Sequence, residues 1–174
     1  MNRIWKMSLL MTVIILADQF TKGAIQTHFT YGESREVISG LFNLTYVRNP
    51  GAAFGMGANA SDWVRAIFFL WLPVVACLWL LYLIWTTRRG SLLLCTAYSL
   101  IFAGAVGNLI DRFSLGYVVD FFDFYVGRSH FPAFNIADSS ISVAAGLLII
   151  DFIRDGLKKR KEKLEASKNA SSPS

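Results

Sequence analysis

Charge is missing from two stretches of this chain, Ala66 to Trp85 and Ser91 to Ile110, each 20 residues long. At about 1.5 Å of rise per residue, such a run reaches about 30 Å as a helix, the thickness of a bilayer's hydrocarbon core. Pro73 predicts a kink in the first run, which bilayer helices tolerate. The connection Thr86-Thr87-Arg88-Arg89-Gly90 is short, basic and closed by glycine, so the two helices form an antiparallel hairpin. Met7 to Ala17 ends at Asp18, and Ser139 to Ile150 is bracketed by Asp138 and Asp151. Each is too short alone and spans only with an acid at or just inside the interface. The pattern predicts helices at about 7–27, 64–85, 91–111 and 137–155. Arg3 and Lys6 ahead of Ser8–Ala17 resemble a signal peptide. No small-x-small cleavage site follows, so the segment reads as a retained span.

Composition supports this reading. Of 174 residues 54% are hydrophobic and 17% charged, which excludes a disordered, collagenous or coiled-coil chain. A compact soluble domain of this length has little interior in which to hide such runs. The net charge of +5 matters less than its placement. Arg3 and Lys6, Arg88 and Arg89, and the group Arg154, Lys158, Lys159, Arg160, Lys161 and Lys163 share one side of a four-span chain. The opposite loops, about 28–63 and 113–136, hold Arg35, Arg48 and Arg128. The positive-inside rule then puts both termini in the cytoplasm and both longer loops outside. The expected organisation is a transmembrane domain over 1–157 and a basic, Ser-rich cytoplasmic tail over 158–174. That tail reads as a topology anchor with anionic-lipid contact, and nothing else supports nucleic-acid binding.

In the first outer loop, Val37-Ile38 and Leu41 to Val47 have strand composition, with Ser39-Gly40 as a turn between them. A small sheet on the membrane surface is expected there. Arg48-Asn49-Pro50-Gly51-Ala52-Ala53-Phe54-Gly55 follows, with Pro-Gly as a turn signal. The second outer loop, Phe113 to Phe134, is aromatic, which a belt of interfacial rings explains. Cys77 and Cys95 fall inside spans at different depths and read as packing thiols. His28 and His130 have no partner at metal-ligand spacing, so no metal or other cofactor is expected.

Ionisable groups at membrane depth are expensive and usually functional. Asp18 and Lys22, spaced i, i+4, share a helix face and can pair. Asp111-Arg112 closes the third helix, with Asn108 one turn earlier and able to face the same cavity. Asp138 opens the fourth helix, where a first-turn acid has a structural reason. Asp120, between Val119 and Phe121, has none. Two carboxylates in one apolar site share a proton and can act as base and acid on one water, the chemistry of an aspartic protease. Spacing alone leaves two rivals open. A proton-conducting transporter would need Asp18, Asp111, Asp120 and Asp138 spread across the membrane, yet all lie toward the outer half. A non-enzymatic assembly subunit leaves Asp120 unexplained.

Five ordered blocks resemble the lipoprotein signal peptidase (signal peptidase II) family. They are Asp18-Gln19-x-x-Lys22, Asn49-x-Gly51-Ala52-Ala53-Phe54, Gly107-Asn108-x-x-Asp111-Arg112, Val118-Val119-Asp120-Phe121 and Phe134-Asn135-x-Ala137-Asp138. The resemblance implies an all-α membrane protein of four helices with a small outer β-cradle in the first outer loop. It implies a bacterial inner-membrane aspartic endopeptidase that cuts prolipoproteins before a diacylglyceryl-cysteine. Asp120 and Asp138 match the family's catalytic dyad. Asn49, Asn108, Arg112 and Asn135 match residues that bind substrate or support the dyad. Asp18, Lys22 and Asp111 take structural roles. The expected partners are diacylglyceryl prolipoproteins and membrane lipids, for a monomer. Phe68, Phe69 and Leu72 are candidates for an apolar opening that admits lipid chains.

Overall fold

The computed structural model describes residues 2–51 and 61–170. The Ala52-Ala53-Phe54 part of the second block, and the tail beyond residue 170, lie outside the described residues. Four helices are long and apolar enough to cross a membrane: Arg3–His28, Trp63–Thr87, Leu92–Leu115 and Ile136–Leu164.

Helix α1 (Arg3–His28) leads into strands β1 (Ser34–Ile38) and β2 (Phe42–Asn49). The second span is composite. A short α2 (Asp62–Ala66) runs through a π-helical turn (Ile67–Trp71) into α3 (Leu72–Thr87). Pro73, in the first turn of α3, has no N–H for the carbonyl one turn back, and the wide turn falls just ahead of it. Helix α4 (Leu92–Leu115) follows, then β3 (Val118–Val126), β4 (Ser129–His130) and α5 (Ile136–Ala170). The last helix continues well past the expected end near residue 155. Its extension carries the basic cluster, with Lys159 Nζ paired to Asp155 at 2.7 Å, i, i+4.

Helix α4 is the central post, packed against α1, α3 and α5. Small residues make this possible. Ala97, Ser99, Ala103, Gly104 and Gly107 are all buried on it, and small residues let helix backbones approach closely where no hydrophobic drive separates protein from lipid. The other spans turn large apolar side chains outward, among them Phe20, Trp71, Leu78, Trp79 and Phe152. Ser91 caps α4, accepting from Leu94 N at 3.2 Å and donating to Asp151 Oδ1 at 2.8 Å. At the other end Gly116 takes the left-handed conformation, φ 78°, and its N–H closes on Arg112 O. That turn redirects the chain into β3 two residues later. Cys77 and Cys95 are buried among the spans.

The sheet is larger than the first loop alone provides. Its four antiparallel strands run in the order β1-β2-β3-β4, so the segments after α1 and after α4 both build it. The turn at Gly40 (φ 73°) joins β1 to β2 as the composition suggested. The second loop gives no alternation to read, because β3 is covered on both sides: Val118, Val119, Asp120 and Phe121 are all buried. On one edge β3 pairs with β2. On the other, Phe121 N and Phe122 N donate to Phe134 O at 3.0 and 2.8 Å. β3 is thus held between the end of β2 and the start of α5.

Candidate active site

Alternation along β3 divides its side chains between two faces. Val119 and Phe121 join Ile25 and Tyr46 in an apolar cluster over the end of α1. Asp120 points the other way, into a cavity of about 560 Å³. Asn49, Asn108, Arg112 and Asp138 also line it. Its apolar wall comes from Phe131–Phe134 and Ile141. Phe68 and Leu72, candidates on sequence for an apolar opening that admits lipid chains, are half-exposed and do not line this cavity. Phe69 instead places its ring 5.7 Å from the Arg112 guanidinium.

Both carboxylates are held by amides. Asp120 accepts from Asn49 Nδ2 at 3.0 Å and from Asn135 Nδ2 at 2.7 Å. Asn49 is diagonal to Asp120 across the β2–β3 pair, where Asn49 faces Val118 and Val47 faces Asp120. One extra residue in β2 between the Leu44 and Val47 pairings sets which side chains of β2 reach the cavity. Asp138 accepts from Asn108 Nδ2 at 2.8 Å and from Asn135 N at 3.3 Å. In return Asn135 Oδ1 accepts from Asp138 N at 2.9 Å. This is a reciprocal capping box, so Asp138 opens α5 structurally and presents its carboxylate to the cavity with the same side chain. Asn135 spans the pair: its amide nitrogen serves Asp120 while its backbone and oxygen serve Asp138. Burial pushes the Asp120 carboxyl up to about 7, and the nearby Asp138 charge adds to this. The Asn49 and Asn135 hydrogen bonds and the Lys22 charge pull against that rise.

Beneath the cavity lies a buried ion cluster. Lys22 Nζ is 2.8 Å from Asp18 Oδ2, 3.0 Å from Asp111 Oδ2 and 2.9 Å from Asn108 Oδ1, one acceptor for each N–H. Asp18 Oδ1 accepts from Ala137 N at 2.9 Å, and Asp111 Oδ2 from Val119 N at 3.0 Å. The cluster therefore fixes the residues next to both cavity acids. Asp111 turns into it and away from the cavity, which corrects the expectation that Asp111, Asn108 and Arg112 face one space. Gln19 was legible only as part of a block. Its Nε2 donates to Asp111 Oδ1 at 3.0 Å and Gly107 O at 3.1 Å, which ties α1 to α4. Arg112 Nη2 donates to Gly51 O at 3.2 Å, while its buried Nε has no hydrogen-bond partner among the described residues.

No group of three or more His, Cys, Asp or Glu with metal-binding geometry occurs among the described residues. His130 Nδ1 instead pairs with Asp123 at 2.9 Å.

Residues 10–154 match the family model for signal peptidase (SPase) II. The chain belongs to that family. A lipoprotein signal peptidase of Syntrophus aciditrophicus is 45% identical over 151 residues, covering 87% of this chain and 91% of its own. One from Cupriavidus taiwanensis is 52% identical over 145 residues, covering 82% and 79%. A bacterial membrane enzyme solved by the in meso method at 2.3 Å resolution superposes with a TM-score of 0.78 at 37% identity, covering 90% of this chain and 92% of that one. Family membership makes the chain a protease and, with its four apolar helices, a multi-pass bacterial membrane protein.

Proposed function

We propose that this chain removes signal peptides from diacylglyceryl-modified prolipoproteins as an aspartic endopeptidase, with Asp120 and Asp138 as its catalytic pair. The observation that carries this reading is the placement of both carboxylates on one cavity, joined through Asn135. One ionised carboxylate takes a proton from a water whose oxygen attacks the scissile carbonyl carbon. The other, protonated, gives its proton to the carbonyl oxygen. Collapse of the tetrahedral intermediate breaks the C–N bond, and the amide nitrogen leaves with a proton as the amine of the lipidated cysteine. Water and one shared proton balance the cycle with no metal or cofactor.

In this reading Arg112, beside the pair and with an N–H to spare, meets the substrate backbone. Asn49, Asn108 and Asn135 hold the carboxylates, and Asp18, Lys22 and Asp111 hold the frame. The Lys and Arg distribution supports cytoplasmic termini and a cavity at the outer face of the inner membrane. A lipidated substrate would present its scissile bond at that depth. Residues 1–157 form the peptidase domain and 158–174 a basic cytoplasmic tail, in a protein acting as a monomer. The test is single-turnover cleavage of a diacylglyceryl prolipoprotein by purified protein. Release of signal peptide that depends on both Asp120 and Asp138 is the expected result. Cleavage at the wild-type rate by Asp120→Asn, or cleavage abolished by EDTA and restored by zinc, would refute the mechanism.

A further inference from the structure

Arg48 lies next to Asn49 on β2, so its side chain leaves the opposite face of the sheet from the cavity. It does not line that cavity. Three phenol rings surround its guanidinium: Tyr31 at 4.9 Å, Tyr46 at 5.3 Å and Tyr117 at 5.0 Å from the ring centroids. Each distance is within the roughly 6 Å reach of a cation–π contact. Arg48 Nε donates to Tyr46 Oη at 3.1 Å, and the Tyr46 and Tyr117 hydroxyls are 3.4 Å apart. The rings are themselves ordered, with Tyr31 edge-on to Tyr46.

The rings surround the guanidinium within cation–π reach, and its Nη1 and Nη2 groups have no hydrogen-bond acceptor among the described residues. Among the described residues Arg48 makes the one hydrogen bond through Nε, and no carboxylate is paired with it. Arg35, on the same sheet, makes the contrast. It too stacks on a ring, Phe29 at 4.2 Å, but its donors are occupied by Glu33 Oε1 and His28 O, both at 2.7 Å. The depth of the cage is fixed by the chain. Tyr31 follows the end of α1 at His28, and Tyr117 follows the end of α4 at Leu115. Tyrosines at the ends of two spans belong to the level of the lipid headgroups. A planar guanidinium with a free N–H edge matches two oxygens of a phosphate.

We propose that Arg48, caged by Tyr31, Tyr46 and Tyr117, is a binding site for the phosphate of a membrane phospholipid headgroup. The site pins the back of the sheet to the bilayer surface, and it is independent of which carboxylates perform the cleavage. A bound lipid would run its chains down the outward face of α1, where Phe20, Leu16 and Val13 are exposed.

The test uses the full chain in detergent. Phosphatidylglycerol, diacylglycerol and inorganic phosphate are titrated in turn, with bound lipid counted by native mass spectrometry and thermal unfolding followed in parallel. Each variant is compared with its own lipid-free state. Wild type should retain phosphatidylglycerol and gain thermal stability saturably, with neither effect from the other two. Arg48→Gln should weaken phosphatidylglycerol binding by about tenfold or more, the loss of a charge-assisted hydrogen bond. Arg48→Lys keeps the charge without the fork and should fall between, while Arg35→Gln should bind as wild type does. Equal binding by Arg48→Gln and Arg48→Lys to wild type would overturn the site. An equal response to diacylglycerol would assign the effect to acyl chains, and an equal response to inorganic phosphate would assign it to a free ion. Either would overturn the lipid-headgroup reading.

Discussion

Lys22 Nζ donates to Asn108 Oδ1 at 2.9 Å, and this contact decides which way the Asn108 amide faces. An ammonium has no acceptor, so it must meet the amide oxygen. The amide nitrogen is then left to donate to Asp138. A lysine on the first span thus orients a carboxylate on the last.

Removing that lysine leaves Asp18 and Asp111 buried without their counter-charge. Lys22→Met should lose about 3–5 kcal/mol of stability, the cost of breaking a buried ion cluster by one partner. Thermal unfolding in detergent and the yield of folded protein measure it. Asp18→Asn should also lower stability but keep residual activity per folded molecule.

The two cavity acids should behave as a unit. Asp120→Asn and Asp138→Asn should each reduce single-turnover cleavage by about 10²–10⁴-fold or more, and the double variant should be little slower than either. Folded yield should remain near wild type. Multiplicative losses would mean the acids act on separate steps.

Burial raises Asp120 to about 7, which under the proposed mechanism predicts the sign of a pH dependence. The shared proton is lost as pH rises through that value, so kcat/KM should decline on the alkaline side. Asn49 donates to Asp120 and favours its ionised form, so Asn49→Ala should move the alkaline limb to higher pH. Stability follows the same linkage. A carboxyl raised above its ordinary 3.8 binds more protons folded than unfolded, so its contribution is lost as pH climbs from about 4 to about 7. Asp120→Asn should therefore raise Tm more at pH 8 than at pH 5. A larger gain at pH 5 would contradict the shift.

The contact between α4 and α5 has no room for a methyl group at Gly104. An added Cβ would lie 2.4 Å from Ala137 O and 2.7 Å from both Ile141 Cγ1 and Ser140 Oγ. Gly104→Ala should push α5 outward, lower Tm and slow cleavage through Asp138, which sits one residue beyond Ala137. Gly146→Ala, with open space around it, should do neither. Circular dichroism melts and single-turnover rates separate the two variants.

Orientation has a direct check. A reporter fused after Ser174 should be active only in the cytoplasm, and one inserted near Ser61 only outside. The reverse pattern would place the cavity on the wrong face.

The spans were legible because uncharged runs of bilayer length have few other uses, and the C-terminal end of α5 was not because a charged helix carries no hydropathy signal. Asp18 and Lys22 could be paired from i, i+4 spacing alone. Their reach to Asp111, Ala137 and Val119 could not, since it depends on how α1, α4 and α5 dock. Asp120 stood out as an acid without a local excuse, whereas its strand did not, because burial on both faces erases alternation. Arg48 gave no signal at all: three tyrosines scattered from 31 to 117 converge only once β2 has paired with β3.

The capping box at Asn135 and Asp138 also sets a timetable. The chain is made from its N-terminus, and Asn135, which serves both acids, emerges with the final helix. A ribosome-bound intermediate carrying the first three spans and β3 already holds Asp120 and its donor Asn49, yet lacks the Asn135 donor and the partner acid Asp138. Under the proposed mechanism such an intermediate has only one of its two cavity acids and should not cleave. On that proposal, proteolytic competence arrives only when the last span docks, so the finished fold and the onset of cleavage coincide.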